Sequence, residues 1–388
     1  MSKIGEFELI ERIRSQSSII LSDSEGSPDI VGIGDDCAVM PQRNGVDTLV
    51  TTDLLIEDRH FLLADISPEQ LGWKAAAVNI SDIAAMGGKP AAAFLSIALP
   101  PDLGERLHGF KDGAAKWVDR FITGFSKLCF RFGVPLLGGD TSASPDKLFI
   151  NVTLLGECPH GQALLRSSAC PGDLICVTGT LGDSAAGLKL VLERAASASQ
   201  SPSSAVPLET DVPRMLKVSP EEFLIRRHYL PMPRVNEGRL LASLNGVHAM
   251  MDISDGIASD LRHVLKASST GSATLCALID VKALPLSDEL QQVCADRGWD
   301  AVELAVSGGE DYELLFTIAP GTPLPEGCTV IGHIVDSQSG EWLEDGASAV
   351  GLTKGASADN DSERGVSEAK PTIRWIGSDK EYKGFTHF

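Results

Sequence analysis

The sequence predicts a two-domain chain of mixed strands and helices, with α/β alternation in its first half. Its 388 residues, 43% hydrophobic and 22% charged, suffice for two domains of ordinary size. Through residue 156, apolar β-branched runs alternate with segments of helical spacing, as they do where helices cover a sheet. Near residues 157–172 the stretch ECPHGQALLRSSACPGD gathers turn residues and the pattern changes. The expected division is therefore 1–156 and 157–388.

The elements follow in order. Phe7, Leu9, Ile10 and Ile13 give residues 6–20 a helical period, and LVTTDLLI (49–56) and LFINVTLLGE (148–157) have the length and composition of strands. PEQLGWKAAAVNISDIAAMGG is Ala-rich with a helix-like period and stops at Gly87, Gly88 and Pro90. FLSIALP is a strand, residues 104–133 form one long amphipathic helix, and Gly133 leads into the strand VPLLGGD. The second half opens on DLICVTGTLGDSAAGLKLVLERA, a strand, a Gly-rich turn and a helix. PRVNEGRLLASL and GIASDLRHVLKASS are helices, HAMMDISD and ATLCALI strands, and LAVSGGEDYELLFTI sets an acidic Gly turn before a strand. Residues 195–213 and 353–370 are polar, low-complexity insertions expected to be mobile. PTIRWIGSDKEYKGFTHF recovers aromatics, so the C-terminus is expected to dock back onto the fold.

A formal net charge of −20 argues against nucleic acid, whose binding needs basic patches. The N-terminus has no contiguous apolar core and no run approaches a membrane span, which makes the cytoplasm the expected location. The eight scattered cysteines, without a CxxC pair, read as reduced and mostly buried thiols. Cys37 sits among carboxylates, which raise a thiol pKa and so oppose a reactive role.

The motifs that carry chemistry are acidic. Asp35 and Asp36 in GIGDDCAVM, Asp53 in TLVTTDLL, Asp82 in NISDIAAMGG, Asp140 in LLGGDTS, and Asp252 and Asp255 in DISDG all follow apolar runs in small-residue settings. Burying an unpaired carboxylate costs several kcal/mol, and basic residues are scarce in these segments. A hard divalent cation such as Mg²⁺, which takes oxygen ligands and shares its shell with phosphates, fits the pattern and suggests phosphoryl chemistry. The motifs ISDIAAMGG and ISDGIASDL could equally be simple strand-to-helix caps. The glycines before Asp35 and Asp140, which let a ligand approach the backbone, and the hydroxyls of Thr51, Thr52 and Ser254 favour a multi-ion site for the set.

There is no GxxxxGK[ST] loop and no GxGxxG after a strand. The turn VTGTLGDSAAG could present the N–H groups of residues 179–184 to a phosphate, or be a plain turn with Asp183 as a helix cap. His60 could contact a phosphate or hydroxyl, or fill core or surface. Arg166 could bind a phosphate bidentately or join an ion pair. No Ser, Cys or His arrangement indicates a covalent nucleophile, which fits direct transfer.

The order GEFELI, GIGDDCA, TTDLLIEDRHF, AVNISDIAAMGGKP, LLGGDT, VTGTLGDSAAGL, DISDGIASDL, SGGEDYELLF and KGFTHF closely resembles the thiamine-monophosphate kinases, which are related to aminoimidazole ribonucleotide synthetase. The resemblance runs from Gly5 to the last residue, apart from the two insertions. Nothing in the chain matches the C-terminal cysteine of hydrogenase-maturation relatives or the reactive N-terminal loop of selenophosphate-forming ones. The resemblance implies transfer of the γ-phosphoryl group of ATP to thiamine monophosphate with several Mg²⁺ ions, in a homodimer. It also implies an α/β N-terminal domain whose strands form a β-barrel with those of a second subunit, a C-terminal α+β domain, and ATP in the cleft between them. By motif, Asp36, Thr51, Thr52, Asp53, Asp82, Asp140, Asp252 and Asp255 would be Mg²⁺ ligands. Gly139, Asp140, Arg166 and Ser254 would contact ATP, and His60, Glu310 and Tyr382 the thiamine phosphate. Tyr382 stands where the family often has tryptophan, and Thr51 where some members have serine. Since adjacent residues on an extended chain point opposite ways, only one of the Asp35–Asp36 pair should face the metals, and the family pattern favours Asp36.

Overall fold

A computed structural model of the chain describes residues 31, 33–42, 45–106, 113–197, 218–269, 274–337 and 371–384. The helix expected over 6–20, the insertion 353–370 and nearly all of 195–213 lie outside the described residues.

Two sheets organise these residues. The first has the order β1-β2-β5-β3-β4, from β1 (Ala38–Pro41), β2 (Val46–Ile56), β3 (Lys89–Leu99), β4 (Leu136–Ala143) and β5 (Phe149–Pro159). Only β3 and β4 pair in parallel. The second has the order β11-β8-β10-β6-β9-β7, from β6 (Leu174–Thr178), β7 (Val247–Asp252), β8 (Leu275–Asp280), β9 (Leu314–Ile318), β10 (Cys328–Asp336) and β11 (Ile373–Ile376). Among the described residues the first sheet closes no barrel, because β1 and β4 are its edges. Within the second sheet, β11 pairs with β8 and Trp375 packs edge-on against Tyr382, so the C-terminal segment does dock back.

One helix touches both sheets. α1 (Pro68–Ala85) opens on a capping box in which Ser67 Oγ accepts the Gln70 N–H and Gln70 Oε1 accepts the Ser67 N–H, with Pro68 at the first helical position. All of its residues except Glu69 and Asp82 are buried, so the helix is enclosed on nearly every side. On one flank it meets α2 (Gly113–Phe132), whose Trp117, Phe121 and Phe125 stack in series with centroids 5.5 and 6.4 Å apart. Full burial of each such ring is worth roughly 1.5–3 kcal/mol. The approach is close enough that a Cβ on Gly72 would lie 2.0 Å from the Phe121 carbonyl oxygen, so this glycine is a packing requirement. On the other flank Trp73 Nε1 donates to the Pro231 carbonyl at 2.8 Å.

The second half also carries α3 (Asp183–Ser197), α4 (Pro220–Tyr229), α5 (Val235–Ala242), α6 (Ile257–Ser268), α7 (Asp288–Arg297) and α8 (Ala301–Ser307), of which α6 packs on β7, β8 and β9. The single helix expected over 104–133 is represented by α2 and a short turn at Leu103–Arg106, with 107–112 outside the described residues. Among the described residues no helix is long and apolar enough to cross a membrane.

Candidate functional site

The acidic motifs converge where α1 meets both sheets. Thr51 and Asp53, two apart on β2, share a strand face. The Thr51 hydroxyl donates to Asp82 Oδ2 on α1, and the charge of Asp53 reaches Asp82 as well. One residue earlier on α1, buried Ser81 donates from Oγ to Asp252 Oδ2 at 2.6 Å, at the end of β7. Asp252, from the second sheet, is only 2% exposed.

Asp36 enters from the turn before β1. The Arg166 guanidinium pairs with Asp36 Oδ1, its Nε lies 3.4 Å from Asp35 Oδ1, and its backbone N–H donates to Asp35 Oδ2 at 3.1 Å. Both carboxylates thus reach Arg166, but both Asp35 oxygens also accept backbone N–H groups, from Asp36 and Arg166, while Asp36 Oδ2 has no protein partner. Gly34 at φ 137 and the bend at Asp36 and Cys37 break the regular strand alternation here, which lets both side chains reach the same guanidinium. The scarcity of bases near the acidic motifs is also only local, since Arg166 arrives from the segment between the sheets.

Electrostatics mark the rest of the cluster as short of positive charge. Burial pushes the Asp53 carboxyl up to about 6, and the charge of Asp252 adds to the shift. Asp252 is pushed up to about 6 by burial, against the Ser81 hydrogen bond and Arg166. Burial, then the charges of Asp53 and Asp252, lift Asp82 well above the carboxylate range. Burial does the same to Asp36 against the pull of Arg166, and its Oδ2 is buried without a protein partner. Carboxyls that share protons in this way are ready to exchange them for a cation. The donors are hard oxygens, one of them an orphaned carboxylate atom, and this set fits Mg²⁺.

Asp255 and Ser254 occupy the turn before α6. The Asp255 charge reaches Asp252 and buried Asp260, while the Ser254 carbonyl accepts the Glu310 N–H at 2.8 Å. Glu310 and Tyr312 hold the left-handed backbone region, at φ 62 and 51, in a loop folded over the Asp252 turn. Such strain concentrates at functional sites. Lys74 of α1, 1% exposed, lies 2.9 Å from Glu310 Oε1 and 3.0 Å from Oε2, and His228 Nδ1 is 3.3 Å from Oε2. Burial would raise the Glu310 carboxyl, but Lys74, His228 and His60 outweigh it and hold the group below its usual range. His60 therefore stands near Glu310, and its Nδ1 accepts the Ile56 N–H at 3.0 Å.

The structure does not gather every residue singled out. Thr52 bonds Val152 O and Thr153 Oγ1 on the opposite face of β2 from Thr51. Gly139 and Asp140 lie on exposed edge strand β4; Gly139 is level with Asp53 through Leu95 and Val152, three strand spacings away. Tyr382 is 3% exposed, ring against Trp375 and hydroxyl on Ser378 at 2.9 Å, so no ring face is presented to a ligand. The Gly-rich turn is not open to a phosphate. Asp311 accepts the N–H groups of Gly182 at 2.7 Å and Ser184 at 3.2 Å, and Asp183 accepts the hydroxyls of Thr180 and Ser287.

Sequence reading missed Lys74, Ser81 and Tyr312. A lysine inside the apolar run GWKAAAVNI was the available signal, because a buried ammonium needs a carboxylate. Tyr312 is buried, its phenol raised well above its ordinary value by burial and then by the charges of Glu310, Asp53, Asp252 and Asp82.

A two-sheet α/β architecture with a shared acidic site defines the class. Residues 34–158 match the model of the AIR synthase related protein N-terminal domain, and residues 170–342 that of the C-terminal domain. A thiamine-monophosphate kinase of Bacillus subtilis is 38% identical over 322 residues, covering 81% of this chain and 84% of its own length. One from Salmonella typhimurium is 40% identical over 314 residues, covering 81% and 82%. The solved structure of AaThiL complexed with AMPPCP and TMP aligns with a TM-score of 0.73 at 30% identity, covering 100% of this chain and 98% of that one. The chain belongs to the thiamine-monophosphate kinase family and is a kinase.

Proposed function

We propose that the chain transfers the γ-phosphoryl group of ATP directly to thiamine monophosphate, in line, to form thiamine diphosphate. The observation that carries this is the cluster of half-buried Asp36, Asp53 and Asp82 with buried Asp252, drawn from both sheets and held by Thr51 and Ser81. Its support comes from relatives named for this activity and a related structure complexed with AMPPCP and TMP.

Several Mg²⁺ ions bound to these carboxylates would supply the positive charge that lets two phosphate groups approach one another. Asp36, Asp53, Asp82, Asp252 and Asp255, with the Thr51 hydroxyl, would hold them. Asp140 and Thr52 are assigned to the same task on motif alone. Arg166, held by Asp35 and Asp36, orients that pair and with Gly139, Asp140 and Ser254 is assigned to ATP. His60 and Glu310 are assigned to the thiamine phosphate, with Tyr382 following only if its ring leaves Trp375. The attacking oxygen belongs to a phosphate already anionic at neutral pH, so no residue need act as a strong general base.

The region through residue 156 would bind ATP and Mg²⁺ and carry the dimer interface, and the rest would form an α+β domain. A second copy is the expected occupant of the β4 edge, where Leu137 is 62% exposed beside exposed Leu136 and Phe94. Pairing there would build the intersubunit barrel that the open sheet lacks. ATP dependence and eight unpaired thiols favour the cytoplasm. The test is product analysis with Mg-ATP and either thiamine monophosphate or free thiamine. Thiamine diphosphate from the monophosphate, with no product from thiamine, supports the reading, and product from thiamine alone overturns it.

A further inference from the structure

A second cluster with ligand chemistry lies away from the acidic site. Cys170 Sγ, a carboxylate oxygen of Asp173 and a ring nitrogen of His248 all fall within 4.8 Å of one another. His248 Nδ1 is 2.9 Å from Asp173 Oδ1 and 3.0 Å from Oδ2. We propose that Cys170, Asp173 and His248 form a binding site for a thiophilic divalent cation of the Zn²⁺ class.

Sulfur, imidazole and carboxylate together select a borderline-soft ion, whereas the all-oxygen cluster described above selects a hard one. Metal–ligand bonds of about 2.0–2.3 Å at tetrahedral angles place ligand atoms roughly 3.3–3.5 Å apart, so the cluster needs only a small adjustment to accept an ion. As the ion binds, the Cys170 thiol proton leaves to solvent and His248 binds through Nδ1 with its own proton on Nε2. Three protein ligands leave the fourth position to water.

The scaffold is set before any ion arrives. In the turn at 170–173, the Cys170 N–H donates to Asp173 Oδ2 at 2.9 Å and the Asp173 N–H to the Cys170 carbonyl at 3.1 Å. Ile334 of β10 then clamps the turn, its carbonyl accepting the Gly172 N–H and its N–H donating to the Asp173 carbonyl, both at 2.8 Å. His248 is fixed on β7. Asp173 is buried, His248 half-buried, and Cys170 is the one exposed thiol of the eight, so an ion can reach the set from solvent. The same two segments carry Arg166 and Asp252, so a bound ion would tie together the supports of the acidic site.

Cobalt separates the two sites, because only a thiolate ligand gives sulfur-to-cobalt charge-transfer absorption. The full chain is titrated with Co²⁺ in excess Mg²⁺, then with Zn²⁺. The expected result is a charge-transfer band that saturates at one equivalent and is erased by Zn²⁺. Cys170→Ser should abolish the band and His248→Ala should weaken binding at least 10-fold, with the fold of both variants intact by circular dichroism. No band in the wild-type protein, a band surviving Cys170→Ser, or unchanged affinity in His248→Ala overturns the assignment.

Discussion

Ser81 and Asp252 meet at 2.6 Å, hydroxyl to carboxylate, although 171 residues separate them in the chain. The bond is buried and joins α1 to the last residue of β7, so the acidic site is a seam between the two sheets. Aspartates of one side are held by hydroxyls and charges of the other, and pairwise contacts of this kind set both chemistry and stability.

Asp252 should cost the metal-free protein stability at neutral pH. Its carboxyl sits at about 6 in the folded chain against 3.8 as the reference value, so between these pH values the folded state binds more protons than the unfolded one. Stability then falls as pH rises from about 4 to about 6 and stays reduced above. In EDTA at pH 7, Asp252→Asn is expected to melt higher than wild type, by about 3 kcal/mol of stability, and the gap should close at pH 4. Thermal melts at the two pH values check this, and a variant less stable than wild type in EDTA at pH 7 would refute it.

Lys74 should matter to both fold and substrate. Lys74→Met leaves Glu310 with only the histidines beside it, a loss expected at about 3 kcal/mol. The KM for thiamine monophosphate should rise at least 10-fold. Adding Glu310→Gln should recover stability, seen in urea denaturation, without recovering KM. Normal KM in both variants would remove Glu310 from substrate binding.

The β4 edge should be an interface. Leu137→Asp is expected to convert a dimer into a monomer in analytical ultracentrifugation, because a buried unpaired carboxylate costs several kcal/mol. A wild-type protein that sediments as a monomer would sink the barrel proposal.

Much of the site was legible from local pattern. The strand around Asp53, the helix around Asp82 and the turn after Asp252 each announce themselves by apolar period and flanking small residues. What stayed hidden is pairing across long separations. Arg166 and Asp36 stand 130 residues apart, and Lys74 and Glu310 stand 236 apart. No spacing rule links such residues. The Gly-rich turn shows the same limit, since its sequence is open to an anion while Asp311, 129 residues beyond Gly182, already fills it. Strand β10 and helices α4 and α7 carried no motif and were recognised only from their packing.

The most direct test of the shared cation site is turnover against Mg²⁺ concentration for wild type, Asp82→Asn and Asp252→Asn, one substitution from each side of the seam. Both variants should keep the fold by circular dichroism, lose about 10²–10³-fold in kcat at saturating Mg²⁺, and need more Mg²⁺ for half-maximal rate. Near-normal turnover by either variant at low Mg²⁺ would contradict the account.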